Sequence, residues 1–325
     1  MALTKKGLLF SFCTLFALME IYFFNFETRY FFYYSPWLLF LFFVALSFKR
    51  GKLFFKDWLV FLSQILFFNF LRGAISLFNT YYSLPIYSKY IIELEHLFTP
   101  DTSLAHMLQI KLTSPFSVSW LEAIMAFIYV SHFFVFFIIA FVIWLHRAPQ
   151  FWRFHWAFIS CAYIALVCYL LVPTVPPWMA SEQHLIPPVR NILQSILSIK
   201  FDGLVKIFDT NPVAAMPSLH VAFPSICFFT LTYHFGLKRS WPFSLYLMAI
   251  IFSTLLLGAH YVGDLIAGFL LALFCFYICF YKLNAREYST KVSNLDFVFL
   301  FVAPLIYLFL QQILKFIFTE MYLGV

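Results

Sequence analysis

The chain has 325 residues, of which 63% are hydrophobic, 23% aromatic and only 11% charged, with a mean hydropathy of +0.89. Soluble domains hold roughly 45–50% apolar and about 25% charged residues, so this composition excludes one and specifies an integral membrane protein. The formal charge of +7 does not mark a nucleic-acid-binding protein, because the basic residues follow the membrane spans.

A helix needs roughly 20 apolar residues to cross a bilayer. Stretches of that kind fall at 7–26, 31–48, 58–80, 118–146, 151–172, 218–235, 241–259, 262–283 and 297–317. The pattern predicts an all-α polytopic transmembrane bundle of about nine helices. It divides into an N-terminal hairpin over 1–57, a membrane core over 58–283 and one C-terminal helix over 284–325. The first span is rich in Phe and lacks small residues at its end, so it reads as a retained helix and not a cleaved signal. With the N-terminus cytoplasmic, Lys5, Lys6, Lys49, Arg50, Lys52, Lys56, Arg147, Arg153, Lys238, Arg239, Lys282, Arg286 and Lys291 gather on that side. This is the positive-inside bias. It orients the protein and leaves no basic stripe for a nucleic acid.

Two long segments, 81–117 and 173–217, then fall on the non-cytoplasmic face. Ile91-Ile92-Glu93-Leu94-Glu95-His96-Leu97-Phe98 mixes charge with apolar residues and predicts an interfacial helix. The prolines of Val172-Pro173-Thr174-Val175-Pro176-Pro177 end the preceding helix, and Trp178 suits the membrane interface. Ile192 to Leu197 forms a short amphipathic stretch expected to cover a site on this face. All six cysteines fall inside predicted spans. Cys275 and Cys279 share a helix face, but no His or carboxylate accompanies them, so they read as small buried side chains and not zinc ligands. No metal-ligand set and no cofactor motif is evident.

Two strings stand out for their polarity: Pro217-Ser218-Leu219-His220 and His260-Tyr261-Val262-Gly263-Asp264. Span 218–235 leaves the non-cytoplasmic face and span 241–259 returns to it, so both strings emerge together. A carboxylate within a span costs several kcal/mol and usually marks function. An imidazole oriented by a carboxylate can attack phosphorus and carry the phosphoryl group covalently. Residues four apart are neighbours on a helix, which makes His260 the candidate nucleophile and Asp264 its orienting partner. His220 is then the candidate acid and base for the leaving and entering oxygens. Ser218 and the free amides at the start of its helix are candidates for binding phosphate oxygens. Tyr129-Val130-Ser131-His132 reads as an interhelical hydrogen-bonding insertion, with substrate contact as the alternative, and Glu122, near the start of the same span, is a candidate to meet a substrate headgroup.

Ala215-Met216-Pro217-Ser218-Leu219-His220 and His260 to Asp264 resemble the second and third signatures of the type 2 phosphatidic acid phosphatase superfamily. The resemblance implies a six-helix core, here about 58–283, a metal-independent reaction, a nucleophilic His260 and an acid–base His220. Two departures are informative. The usual first motif, with its Lys and Arg-Pro, is replaced by Pro173-Thr174-Val175-Pro176-Pro177, and the usual Ser-Arg before the third-motif His is Ser253-Thr254. With Leu219 in place of Gly, these are similar to the inositolphosphorylceramide synthase branch and its bacterial relatives, which transfer a phospho-headgroup to a lipid alcohol.

Phosphoryl transfer needs positive charge around the equatorial oxygens. Arg72, within an apolar span, is the first candidate to supply it, with Lys111 and Arg190 in the site-side segments behind it. Arg147 and Arg153 fall on the opposite face. The expected protein is therefore a lipid-phosphate phosphotransferase or phosphatase without a cofactor. Its partners are a lipid phosphate and either a lipid alcohol or water. Plain hydrolysis of phosphatidate or an isoprenoid diphosphate is the alternative. A transporter is the alternative of another class, but it predicts internal repeats or helices broken near mid-membrane, and the sequence has neither.

Overall fold

The computed structural model describes residues 49–82, 86–114, 118–146, 148–200, 211 and 213–282. The chain divides into two compact units, Met1–Lys56 and Asp57–Val325. Both polar strings lie in the second unit. The expected N-terminal hairpin and C-terminal helix lie outside the described residues.

The described elements are helical: α1 Gly51–Tyr81, α2 Ser88–Glu95, α3 Leu104–Leu112, α4 Trp120–His146, α5 Ala148–Leu171, α6 Pro177–Glu182, α7 Ile192–Lys200, α8 Leu219–Phe235, α9 Leu237–Leu256 and α10 Val262–Tyr277, which runs into a π-helical turn at Ile278–Lys282. The only extended pairing among the described residues is an isolated parallel bridge between Thr174 and Ala214. Among the described residues, five helices are long and apolar enough to cross a membrane: Gly51–Tyr81, Trp120–His146, Gln150–Leu171, Leu237–Leu256 and Val262–Lys282. The sixth core helix, α8, has 17 residues, about 26 Å of helix at 1.5 Å per residue, close to the shortest useful span. It packs against α4, α5, α9 and α10 and so occupies the centre of the bundle. Its apolar residues run all round it, as a helix buried on every side requires.

Local chemistry sets the boundaries. At α4, Ser119 Oγ accepts the Glu122 amide at 3.2 Å, and the Glu122 carboxylate accepts the Ser119 amide at 2.6 Å. That is a capping box, and it satisfies two otherwise orphaned donors at a helix start. Pro176 and Pro177 end nothing further. Pro177 is the first residue of α6, where a missing amide costs nothing, so a short helix stands where the sequence indicated only a break. The C-terminus of α9 comes at Leu256, three residues before the expected 259, because Gly258 turns the chain with φ +74°. A side chain there would also meet Val189 Cγ1 at 2.7 Å.

The segments between spans form a cap on the end of the bundle. Ile91 from α2, Ala105 from α3, Val175, Ala180 from α6, Ile186, Val189 and Tyr261 make one buried cluster. Gln109 stitches this cap to the bundle. Its Nε2 donates to the Arg190 and Leu256 carbonyls at 3.0 Å each, and its Oε1 accepts the Arg190 amide at 2.8 Å. Helix α7 lies over the same end, with Ile192, Leu193 and Ile196 packed on Tyr129, Val130 and Leu257.

Candidate active site

The loop before α8 is held by hydrogen bonds, not by charge. The Thr174 amide donates to the Val213 carbonyl at 2.9 Å, and Thr174 Oγ1 accepts the Met216 amide at 3.1 Å. Tyr169 OH donates to the Pro217 carbonyl at 2.8 Å. The proline-rich segment that lacks basic residues therefore serves as the mount for Ala215-Met216-Pro217. Beyond it, the Ser218 amide donates to the Asp264 carbonyl at 3.0 Å, which joins the two signature strings backbone to backbone. Gly268 makes that approach possible, because a Cβ at that position would stand 2.3 Å from the Ser218 carbonyl oxygen.

His220 sits in the first turn of α8, and its Nδ1 lies 3.1 Å from His260 Nε2. His260 Nδ1 lies 3.4 Å from Asp264 Oδ2. The same oxygen accepts the Tyr261 amide at 2.9 Å. The helical-neighbour expectation for this pair needs correction. His260 precedes α10, which starts at Val262, so it is not stacked above Asp264 on a shared helix face. Asp264 instead reaches back from the third helical position to the residues before the helix, as a capping carboxylate does. Contact results, but from helix capping.

A second carboxylate completes this helix start. Glu95, only 1% exposed, accepts the Val262 amide through Oε2 at 2.8 Å and the Leu104 amide through Oε1 at 2.9 Å. It ties together the starts of α3 and α10 at the end of α2. Anions at helix N-termini satisfy orphaned donors and match the helix dipole. Burial pushes the Glu95 carboxyl above its usual range, with the Asp264 charge adding to the effect. Tyr90, whose OH donates to Met216 Sδ at 3.2 Å, is pushed up to about 12, chiefly by burial. Sequence reasoning missed Glu95, because its long-range partnership with Val262 has no local signal.

Several buried polar atoms at this cluster have no hydrogen-bond partner among the described residues: Ser218 Oγ, His220 Nε2, Asp264 Oδ1 and Tyr261 OH. Buried polar groups are nearly always paired in the working state of a protein. This concentration marks a place where a polar ligand completes the bonding. Arg72, on α1, lies within electrostatic range of His220, His132 and Tyr169, and its carbonyl accepts Asn211 Nδ2 at 3.3 Å. Among the described residues, no carboxylate pairs with it.

The other two cationic candidates are placed differently. Arg190 donates through Nη2 to Glu122 at 2.8 Å and to Thr113 Oγ1 at 2.9 Å, with the Glu122 side chain fully buried. Glu122 is thus spent on its helix start and on Arg190. Lys111 stands exposed in the last turn of α3. The structure brings His220, His260, Asp264 and Ser218 into contact, sets Arg72 within charge range, and commits Arg190 to a structural pair.

Of the polar insertion in α4, Ser131 makes the expected interhelical bond, 2.9 Å to Tyr246 OH on α9. His132 does not. Its Nδ1 lies 2.9 Å from the Tyr129 carbonyl on its own helix, and its ring is centred 4.0 Å from that of His220.

A family model described as the PAP2 superfamily matches residues 99–278, more than half of the chain, with both signature strings inside the match. The chain belongs to the PAP2 superfamily. No curated protein and no solved structure matches it. Superfamily membership brings phosphatase-type chemistry on lipid phosphates, and the bundle of membrane-length helices is the setting that chemistry needs.

Proposed function

We propose that this PAP2 protein moves a phosphorylated headgroup from one lipid to another through a phosphohistidine on His260. The observation that carries the reading is the run of contacts from Asp264 to His260 to His220 beside unpartnered polar atoms. The His260 Nδ1 proton is directed to Asp264, which leaves Nε2 with the lone pair. In the first half-reaction Nε2 attacks phosphorus, the bond from phosphorus to the leaving oxygen breaks, and that oxygen takes a proton from His220. In the second, an acceptor hydroxyl gives its proton to His220 as its oxygen attacks phosphorus and the N–P bond breaks. The two imidazole nitrogens stand 3.1 Å apart, too close to hold a phosphoryl group between them, so the proposed reaction requires the rings to part.

Charge favours a phosphodiester donor. Among the described residues, Arg72 is the cation with electrostatic reach to His220. One guanidinium matches the single charge of a phosphodiester better than the two charges of a phosphomonoester. Ser218 Oγ and the free amides of the first turn of α8 serve the remaining oxygens. This supports a place near the inositolphosphorylceramide synthase branch, with an inositol-phosphate-like headgroup and a lipid alcohol as acceptor. The positive-inside pattern supports a cytoplasmic N-terminus and a site open to the periplasm, lumen or exterior. Because His220 protonates the leaving group and Arg72 meets the oxygen charge, the scheme uses no metal, and activity is expected to persist in chelator.

The second reading is hydrolysis, which superfamily membership favours and which the same three side chains can perform with water as acceptor. The test is product analysis of purified protein given phosphatidylinositol with and without ceramide or another lipid alcohol. Acceptor-dependent headgroup transfer is expected, with a loss of about a thousandfold or more in His260→Ala. Release of phosphate products regardless of acceptor selects hydrolysis. Unchanged turnover in His260→Ala rejects the phosphohistidine mechanism in both forms.

A further inference from the structure

Asp264 faces His260, but no carboxylate faces His220 among the described residues. Yet the proposed reaction requires His220 to carry a positive charge in each catalytic cycle. It must be an imidazolium before it protonates the leaving oxygen, and it becomes one again when the acceptor hydroxyl gives up its proton. Arg72 on α1 lies within electrostatic range and opposes that charge; the side chains packed on the ring are aromatic. Tyr129 stacks on the His220 ring with centroids 4.1 Å apart and an interplanar angle of 23°. His132, one turn further along α4, leans on the same ring at 4.0 Å and 51°. Phe133 stands edge-on at 5.9 Å.

The tautomer of His132 follows from its partner. A carbonyl only accepts, so the nitrogen 2.9 Å from the Tyr129 carbonyl, Nδ1, must carry a proton. In the neutral ring Nε2 then holds the lone pair. His132 thus keeps its Nδ1 proton and meets His220 ring to ring. The bond to Tyr129 also fixes the ring of His132 against its own helix. Tyr129 in turn is held from above by Ile192 on α7. A cation over an aromatic face is attracted by the ring quadrupole, and the attraction grows where water is excluded.

We propose that Tyr129 and His132 are positioning residues that hold His220 in line with His260 and stabilise its protonated form, in place of the carboxylate that His260 enjoys. The inference rests on the acid–base assignment of His220 in the proposed function. It gives the Tyr-x-x-His spacing of α4 a task in the reaction, beyond holding helices together.

The test uses the full chain, purified, with phosphatidylinositol and a lipid alcohol, comparing Tyr129→Leu, Tyr129→Phe, His132→Phe and His260→Ala. Removing the ring in Tyr129→Leu is expected to lower kcat about 3- to 30-fold, the range of a desolvated cation–ring contact, with KM little changed. The high-pH limb of the rate profile, where the acid form is lost, should move to lower pH. Tyr129→Phe keeps the ring face and should restore both the rate and the limb. His132→Phe keeps a ring against His220 but loses the bond to the Tyr129 carbonyl that fixes it, so it should move the limb in the same direction with the melting temperature held. A purely structural role predicts lower melting temperatures with the pH limb unmoved, and that result overturns the proposal. Should Tyr129→Leu fail to fold, His132→Phe decides by the same criterion. The two failures are distinguishable: an active His260→Ala defeats the mechanism itself, whereas an inactive His260→Ala with unmoved limbs defeats only the positioning role.

Discussion

At the end of the bundle that holds Trp58, Phe151 and Trp144, side chains meet ring to ring. At the end that holds His220 and His260, hydrogen bonds join the ring contacts. Trp58 stacks on Phe151 at 5.6 Å, Phe61 meets Phe158 edge-on at 5.6 Å, and Phe158 stacks on Phe223 at 3.9 Å. Among these rings, Trp144 Nε1 also donates to Asp57 at 2.8 Å. The other end is a lattice of directed contacts through Gln109, Thr174, Tyr169, Glu95 and Asp264. Ring packing is non-directional and tolerant of small shifts. Hydrogen bonds fix positions to a few tenths of an ångström and fail outside a narrow geometry. The aromatic end supplies cohesion, and the polar end supplies placement.

The contrast breaks most sharply if changes at the two ends have interchangeable effects. Asp264→Asn keeps an acceptor for the Tyr261 amide but no longer stabilises a charged His260. Turnover should fall about a thousandfold or more, while thermal melts in detergent stay near the parent. At the other end, Phe158→Ala should cost about 3–5 kcal/mol of stability, read from the melt, with kcat per folded molecule close to that of the parent. If Phe158→Ala instead spared stability and removed activity, this division of labour would be wrong.

Two smaller effects sharpen the picture at the polar end. Glu95→Ala strands the amides of Leu104 and Val262, a loss of about 1–3 kcal/mol. Its pH signature has a definite sign. Because burial holds the folded carboxyl above its ordinary 4.5, folding favours the neutral acid. That contribution is fully present below the ordinary value and is lost as pH rises through the raised one. Glu95→Gln, neutral throughout, should flatten this part of the stability–pH curve. The smallest effect is expected for Ser131→Ala, which removes the bond to Tyr246. Interhelical hydrogen bonds in membranes average about 0.6 kcal/mol, and a double-mutant cycle with Tyr246→Phe measures it.

The two ends also differ in how far the sequence announces them. Spans 118–146, 151–172 and 218–235 agree with α4, α5 and α8 to within a few residues, because length and hydropathy are local properties. The meeting of His220, His260 and Asp264 was legible because polar side chains in such a chain are costly and the spans bring both strings to one face. Glu95 was not, since nothing near it points to Val262, 167 residues away. His132 was seen, but its ring contact with His220 was not. A Tyr-x-x-His pair looks the same whether its ring faces a neighbouring helix for cohesion or another histidine. Arg190 shows the converse. Its charge drew attention, but its partner Glu122 was already fully buried and waiting for a cation.

The clearance at Gly268 has a wider consequence. His260, Asp264 and Gly268 are spaced by four residues each, with Asp264 and Gly268 on α10 and His260 just before it. The first meets the second through Nδ1 and Oδ2, and the third is small enough to admit the Ser218 backbone. Spacing along one short stretch therefore acts as a ruler for the distance between two strings that are forty residues apart in the chain. A methyl group at the last mark would press the Ser218 carbonyl away and carry His220 with it. The reach of His220 is set by a residue with no side chain.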